Sequence, residues 1–233
     1  MNTQRKLAIT VGAFYLLTFA TSIPALALKQ SFLRGTDAGA GAGTDATLHW
    51  AVILEVVLAL ACVGTAVAFY PVGKSHSPAL AIGFVASRTL EASAVFTGVI
   101  ALLAVATLRG AAHTGDAETV DAALVAVHDW AFLLGPGLLP AVNALLFGTL
   151  LYRARLVPRI IPLTGLLGAP LLAISALGTL LGVNDQVSPL AGIAALPIAL
   201  WEFGIGTWLV LKGFSSPSVR EQTAQSRERH SDE

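Results

Sequence analysis

The stretch LHWAVILEVVLALACVGTAVAFY, at residues 48–70, decides the fold class of this chain. A helix of about 20 residues crosses the roughly 30 Å hydrocarbon core of a bilayer. Only His49 and Glu55 interrupt the apolar run with groups that ionise near neutral pH. The stretch therefore predicts a membrane-spanning helix.

Five further apolar runs of comparable length accompany this stretch. Hydrophobic residues make up 55% of the 233-residue chain and charged residues only 12%, about half the charged share of a soluble domain. The sequence therefore predicts an all-α integral membrane bundle of six transmembrane helices over residues 1–214. A polar tail, 215–233, follows and is predicted to be disordered. The predicted spans are Leu7–Leu28, Leu48–Tyr70, Ala79–Leu108, Ala122–Leu151, Ile160–Val183 and Leu190–Leu211.

Basic residues are distributed unevenly between the two sides of these spans. With the N-terminus inside, the opposite side holds Lys29, Arg34 and Arg109. The positive-inside rule therefore predicts a multi-pass protein of the cell membrane with both termini cytoplasmic. The cytoplasmic basic residues are then Arg5, Lys6, Lys74, Arg153, Arg155, Arg159, Lys212, Arg220, Arg227 and Arg229.

The beginning of the chain also has features of a secretory signal. Arg5 and Lys6, the apolar run and Ala25-Leu26-Ala27 follow the order of a signal and its cleavage site. The apolar run is longer than the roughly 7–15 residues of a signal core, and five further spans follow it. A retained first helix is therefore the favoured interpretation.

Composition and motifs exclude several classes of function. Fourteen Lys and Arg residues balance fourteen Asp and Glu residues, so an electrostatic nucleic-acid binder, which needs a basic surface, is excluded. The single cysteine excludes a disulfide framework and a cysteine-rich zinc site. HExxH and GxSxG motifs are absent from the sequence. We therefore expect no cofactor and no metal, and an enzyme is the less favoured interpretation.

Four segments resemble one bacterial protein family. They are YLLTFATSIPAL at 15–26, GFVASRTLEA at 83–92, HDWAFLLGPGLLPAVNALLFGTLLYRARLVPR at 128–159 and WEFGIGTWLVLKGF at 201–214. The family is catalogued as domain of unknown function 4386, and the similarity extends over residues 5–214. The resemblance implies a multi-pass bacterial membrane protein and implies no particular activity.

Ionisable residues inside the predicted spans are the main functional signal. A charge at the centre of a spanning helix costs roughly 2.5–3.5 kcal/mol, so these side chains should face the bundle interior or a hydrated cavity. We expect the charged members to converge in one interior region. The candidate polar cluster comprises Glu55, Arg88, Glu91, His128, Asp129, Asn143 and Glu202.

The charges of this cluster do not balance. Arg88 and Glu91 are three residues apart and can pair on one helical face. One Arg faces four acids within the spans, so at least one carboxyl should stay protonated, bind a cation or contact water. Glu202, deep in its span beside Trp201, is the predicted protonated carboxyl.

Gly135-Pro136-Gly137 and Pro140 interrupt the fourth span. Proline lacks a backbone donor, so these residues should free the carbonyls of Phe132 and Pro136. Asp129, Pro136 and Asn143 are spaced at sevens and are predicted to lie along nearly one face, with His128 beside it. Broken helices of this kind recur in transporters, and they also occur as ordinary proline kinks.

Three functions remain open from the sequence. The first is a small proton- or cation-linked carrier of an unknown solute, with no nucleic acid among its partners. The second is a non-catalytic membrane module whose polar core is structural. The third, with the least support, is an intramembrane metal-dependent enzyme that uses His49, His128, Asp129 and a Glu.

Overall fold

The computed structural model describes residues 3–34, 42–110 and 117–215. These ranges contain seven α-helices and no strand. Six helical segments are long and apolar enough to cross a membrane, so the predicted six-span, all-α architecture is confirmed. Beyond Ser215, the tail that is predicted to be disordered lies outside the described residues. The helices are α1 (Thr3–Arg34), α2 (Ala42–Gly73), α3 (Pro78–Gly110), α4 (Ala117–Leu134), α5 (Leu139–Ala154), α6 (Ile160–Leu180) and α7 (Pro189–Leu211).

The fourth span consists of two helices, α4 and α5. Between them, residues 135–138 form turns, and the Gly137 N–H donates to the Phe132 carbonyl at 2.9 Å. The expectation that the Phe132 carbonyl would be free is therefore wrong. Pro136 has no N–H to donate to the Phe132 carbonyl. Because glycine stands on each side of Pro136, the backbone can turn tightly enough for the Gly137 N–H to donate to that carbonyl instead.

The six spans close into a ring. Neighbours in the chain pack side by side, α3 contacts both α4 and α5, and α7 returns to contact α1. The last contact is close because both helices carry glycine there: a Cβ on Gly12 would lie 2.6 Å from the Gly206 carbonyl oxygen. The Arg5 guanidinium also donates to the carbonyls of Leu209 and Val210 at the end of α7, at 3.1 and 2.7 Å.

The two ends of the ring have separate names below. The N-terminal face is formed by residue 3, residues 73–78, residues 154–160 and residues 211–215. The opposite face is formed by residue 34, residue 42, residues 110 and 117, and residues 180–189. The prediction that the N-terminal face is cytoplasmic remains a prediction.

Candidate functional site

Arg88 lies at the centre of the ring with its side chain 1% exposed. Its Nη1 is 2.9 Å from Glu91 Oε2, and its Nη2 is 3.4 Å from Glu202 Oε1. The guanidinium carbon lies 4.8 Å from the centre of the Tyr15 ring, within range of a cation–π interaction. Nη1 also donates to Cys62 Sγ at 3.5 Å. Side chains from α1, α2, α3 and α7 therefore surround one buried cation, and the predicted Arg88–Glu91 pair is present.

The two carboxylates that contact Arg88 are held differently. Glu91 Oε2 accepts from Arg88 and, at 2.7 Å, from Asn143 Nδ2 on α5. Among the described residues, Glu202 makes a single polar contact, the longer 3.4 Å one with Arg88, and its side chain is 18% exposed against 7% for Glu91. Glu91 is therefore the fixed partner of the cation and Glu202 the loosely held one. We call Arg88, Glu91, Asn143 and Glu202 the Arg88 network.

A second buried ion pair joins α1 and α2. Lys29 Nζ is 2.6 Å from Glu55 Oε1, and the two side chains are 2% and 6% exposed. The same Nζ lies 3.9 Å from the centre of the Phe132 ring on α4. The sequence placed Lys29 in a loop outside the first span, which is wrong: α1 continues past it to Arg34. Glu55 is consequently neutralised within this pair and does not belong to the Arg88 network.

Asp129 is exposed on the surface of the bundle, whereas Asn143 is buried. The expectation that both side chains lie on one face with the other charged residues is therefore wrong. Spacing at sevens aligns residues only in an unbroken helix, and the turns between α4 and α5 change the angular phase. The ring of the neighbouring His128 is buried, with Nδ1 3.2 Å from the Gly98 carbonyl oxygen. Asp129 and His128 therefore do not belong to the Arg88 network.

Metal ligands do not gather in the part of the chain that the structure describes. No three His, Cys, Asp or Glu side chains there lie close enough to hold one ion. Near the centre, Glu91 Oε2 accepts hydrogen bonds from both Arg88 and Asn143. The central arrangement is thus a hydrogen-bonded ion network.

Cavities open on both sides of the network. The break cavity, about 230 Å³, lies at the α4–α5 break and is lined by residues of α1, α4, α6 and α7, including Pro136, Thr179 and Ala195. The N-terminal cavity, about 360 Å³, is lined by ends of α1, α2 and α5 and includes Leu7 and Phe214.

An aromatic cluster separates the N-terminal cavity from Arg88. Phe214, which lines that cavity, lies 6.0 Å from Phe69 between ring centres. Phe69 packs against Phe84 and Phe147 at 6.1 and 4.6 Å. The ring of Phe84 in turn lies 5.8 Å from the Arg88 guanidinium. A continuous series of aromatic rings therefore lies between the N-terminal cavity and Arg88.

On the other side, buried apolar side chains lie along α7 between the break cavity and the network. Leu172 lines the break cavity and belongs to the same buried apolar cluster as Ile198 and Trp201. On α7, Ala195 lines the cavity and Glu202 follows seven residues later on the same face, about 10 Å deeper. Ile198 lies between them along the helix. The Arg88 network is thus separated from both cavities by buried apolar side chains.

Sequence reasoning missed Lys29, the cation of the second pair. The signal that could have located it is the lack of a helix breaker: no Gly or Pro stands between Leu28 and Gly35. The charge of Lys29 alone predicts that the span ends before it. Because Glu55 on α2 pairs with Lys29, the charge of Lys29 can be buried within the span.

Comparison with known proteins identifies a family for this chain. No curated protein and no solved structure matches the chain. The model of a family described as a domain of unknown function, DUF4386, matches residues 10–213. That range includes all of the Arg88 network and the Lys29–Glu55 pair. The chain belongs to the DUF4386 family.

Proposed function

We propose that this multi-pass membrane protein is a small solute carrier of the cell membrane, linked to a proton or a cation at the Arg88 network. The observation that carries the proposal is the ratio of charges: one buried guanidinium contacts two carboxyl groups. With both carboxyls ionised, the network has one negative charge in excess. Burial makes an unbalanced charge costly, so binding one proton or one cation there is favourable.

Glu202 is the group at which that ion would bind and leave. Glu91 is held by two donors, at 2.9 and 2.7 Å, and exchanging its partners would break both hydrogen bonds. Glu202 would give up only the 3.4 Å contact with Arg88. It also lies near the middle of α7, and a carrier requires an ion site that can be reached alternately from either side.

The two cavities support the same proposal. Each opens toward one end of the bundle, and each stops at an apolar layer before the network. From Arg88 to Leu80, next to the N-terminal face, the distance along α3 is about 12 Å; from Glu202 to Ala195 along α7 it is about 10 Å. An ion site between two cavities, with apolar side chains on each side, is the arrangement expected of a carrier in which opening one side at a time gives alternating access.

A structural polar core is the second candidate. The Lys29–Glu55 pair favours it, because both charges are buried, directly paired and equal in number. Such a pair needs no further ion and can fix the register of α1 against α2. The two candidates differ in what they predict for Glu202.

The test measures ion-linked flux through the purified full chain in proteoliposomes. Thermal stabilisation first selects probes from sodium chloride, alanine, glucose and tetraethylammonium. A pH-sensitive dye inside the vesicles then reports proton movement driven by each selected probe, with sodium flux measured in parallel. We expect a probe gradient to drive proton or sodium movement in the wild type. Glu202→Gln should abolish this movement while unfolding at nearly the same temperature.

Asp129→Asn is the matched control, since it makes the same chemical change at an exposed acid outside the network. It should leave the flux unchanged. Flux that survives in Glu202→Gln would contradict the ion-linked proposal. Unfolding of Glu202→Gln at a temperature as low as that of Arg88→Met would instead identify Glu202 as a structural partner of Arg88.

A further inference from the structure

The described residues of the N-terminal face carry charge of one sign. No acidic side chain of the described residues lies on it; the described acids outside the two buried clusters, Glu118, Asp121, Asp129 and Asp185, all lie nearer the opposite face. A basic face next to a bilayer attracts anionic lipid headgroups. Its described basic side chains are Arg5, Lys6, Lys74, Arg153, Arg155, Arg159 and Lys212.

Arg153 differs from several of its basic neighbours. The Arg159 guanidinium lies over the Tyr152 ring at 5.0 Å, and the Lys74 ammonium lies over the Tyr70 ring at 5.7 Å. Arg153, in the last turn of α5, forms no hydrogen bond or ion pair with any described residue. Its side chain instead lines a separate cavity of about 120 Å³.

The lining of this third cavity divides into polar and apolar parts. Arg153, His76 and the Ser77 hydroxyl supply the polar groups, and Leu80 and Leu150 supply the apolar wall. The Ser77 hydroxyl lies 3.5 Å from the Leu80 N–H in the first turn of α3. His76 Nδ1 lies 3.1 Å from the carbonyl oxygen of Val72, which fixes the orientation of the ring. The cavity therefore combines a guanidinium, a hydroxyl and an imidazole with an aliphatic surface.

We propose that this cavity binds the phosphate group of an anionic phospholipid. A guanidinium presents its donors as a planar fork that matches two phosphate oxygens, so Arg153 is the principal contact. The Ser77 hydroxyl and His76 complete the polar side. Leu80, the more exposed of the two leucines, then contacts the glycerol and the first acyl carbons, an apolar surface that inorganic phosphate would not use. The position of the cavity, where α3 begins and α5 ends, is where a spanning helix leaves the hydrocarbon.

The test uses the purified full chain in a neutral detergent at about 150 mM salt, where charges more than about 8 Å apart are largely screened. Short-chain phosphatidylglycerol is titrated in, with short-chain phosphatidylcholine and inorganic phosphate as the other two arms, and bound lipid is counted by native mass spectrometry. We expect wild type to bind phosphatidylglycerol more tightly than phosphatidylcholine. Arg153→Gln should lower the affinity for phosphatidylglycerol about tenfold, because one strong charged contact is lost.

Arg159→Gln is the matched control, because its guanidinium lies over Tyr152 and outside the cavity; it should change the affinity less than about twofold. Equal losses in both variants would overturn the site and leave only a diffuse attraction to the basic face. Displacement of phosphatidylglycerol by millimolar inorganic phosphate would overturn the lipid assignment, since the phosphate alone would then account for binding. If Arg153→Gln does not fold, His76→Gln serves in its place, and unchanged lipid binding in that variant would refute the proposal.

Discussion

Removing the Lys29 charge is the most direct test of the structure. Lys29→Met keeps the length and the apolar stem of the side chain but deletes the ammonium that Glu55 contacts at 2.6 Å. Because Glu55 is 6% exposed, its carboxylate would be left buried without a partner. If Lys29 belonged instead to a loop outside the membrane, as its charge alone predicts, the same substitution would change little.

The expected magnitude follows from the burial of both partners. Breaking a buried ion pair by removing one member costs about 3–5 kcal/mol, because an uncompensated charge remains. For a chain of this length each kcal/mol corresponds to roughly 2–4 °C in unfolding temperature. Lys29→Met should therefore lower the unfolding temperature by about 6–20 °C. The substitution also removes the contact between the ammonium and the Phe132 ring, which should destabilise the protein further.

The assay is a double-mutant cycle in detergent, with thermal unfolding of wild type, Lys29→Met, Glu55→Gln and the double variant. Each single variant should be destabilised, and the double should recover most of the loss, since a neutral pair of similar size leaves no buried charge. Lys6→Met, an exposed position near the start of the same helix, is the control and should be neutral within about 0.5 kcal/mol.

Two results would refute this reasoning. A neutral Lys29→Met would mean that the ammonium reaches water by extending along its stem and that the pair is not buried. Additive losses in the double variant would mean that the two side chains contribute independently. Either result would also remove the explanation for the extension of α1 beyond Leu28.

Three further predictions concern packing, the central cation and topology. Gly12→Ala should destabilise the protein by about 1–3 kcal/mol in unfolding assays, because the new methyl group meets the backbone of α7. A methyl group at Gly204 would meet nothing within 4 Å, so the control Gly204→Ala should be neutral or stabilising. Arg88→Met should lower the unfolding temperature, and adding Glu91→Gln should restore part of it; no recovery would refute their coupling. In a chain without its native cysteine, a cysteine at position Ala224 should react with an impermeant thiol reagent only after permeabilisation, and labelling of intact cells would refute the cytoplasmic C-terminus.

The membrane fold could be predicted because it depends on one-dimensional quantities. Span lengths and hydrophobicity are properties of contiguous residues, and the structure has the six expected spans. The Arg88–Glu91 contact could be predicted for the same reason, since residues three apart on one helix are neighbours whatever surrounds them. Asn143 was a candidate from its own span, although its contact with Glu91 joins α3 to α5 and no spacing along the chain predicts it.

The wrong predictions for Asp129 and Lys29 both depend on how helices are arranged in space. Asp129 was placed inward by counting along a helix that the Gly135–Pro136–Gly137 break divides, and the count does not hold across the turns. Lys29 was placed outside because a lone charge ends a span, whereas its cost disappears once Glu55 on α2 is beside it. Pairing between helices changes where a span ends, and only the three-dimensional packing specifies the pair.

In the proposed carrier, the difference in charge ratio between the two buried clusters decides where the ion-linked step occurs. Lys29 and Glu55 pair one to one, so the cluster is neutral and gains nothing by binding a further ion. Arg88 contacts two carboxyls, so its cluster gains from one more positive charge. Both clusters join a basic side chain to glutamate inside the bundle, which makes the first an internal control for the second. Replacing Lys29 and Glu55 together by Met and Gln should therefore leave ion-linked flux intact, whereas the single change Glu202→Gln removes it. If the double replacement also removes flux from a folded protein, the ratio of charges is not what distinguishes the two clusters.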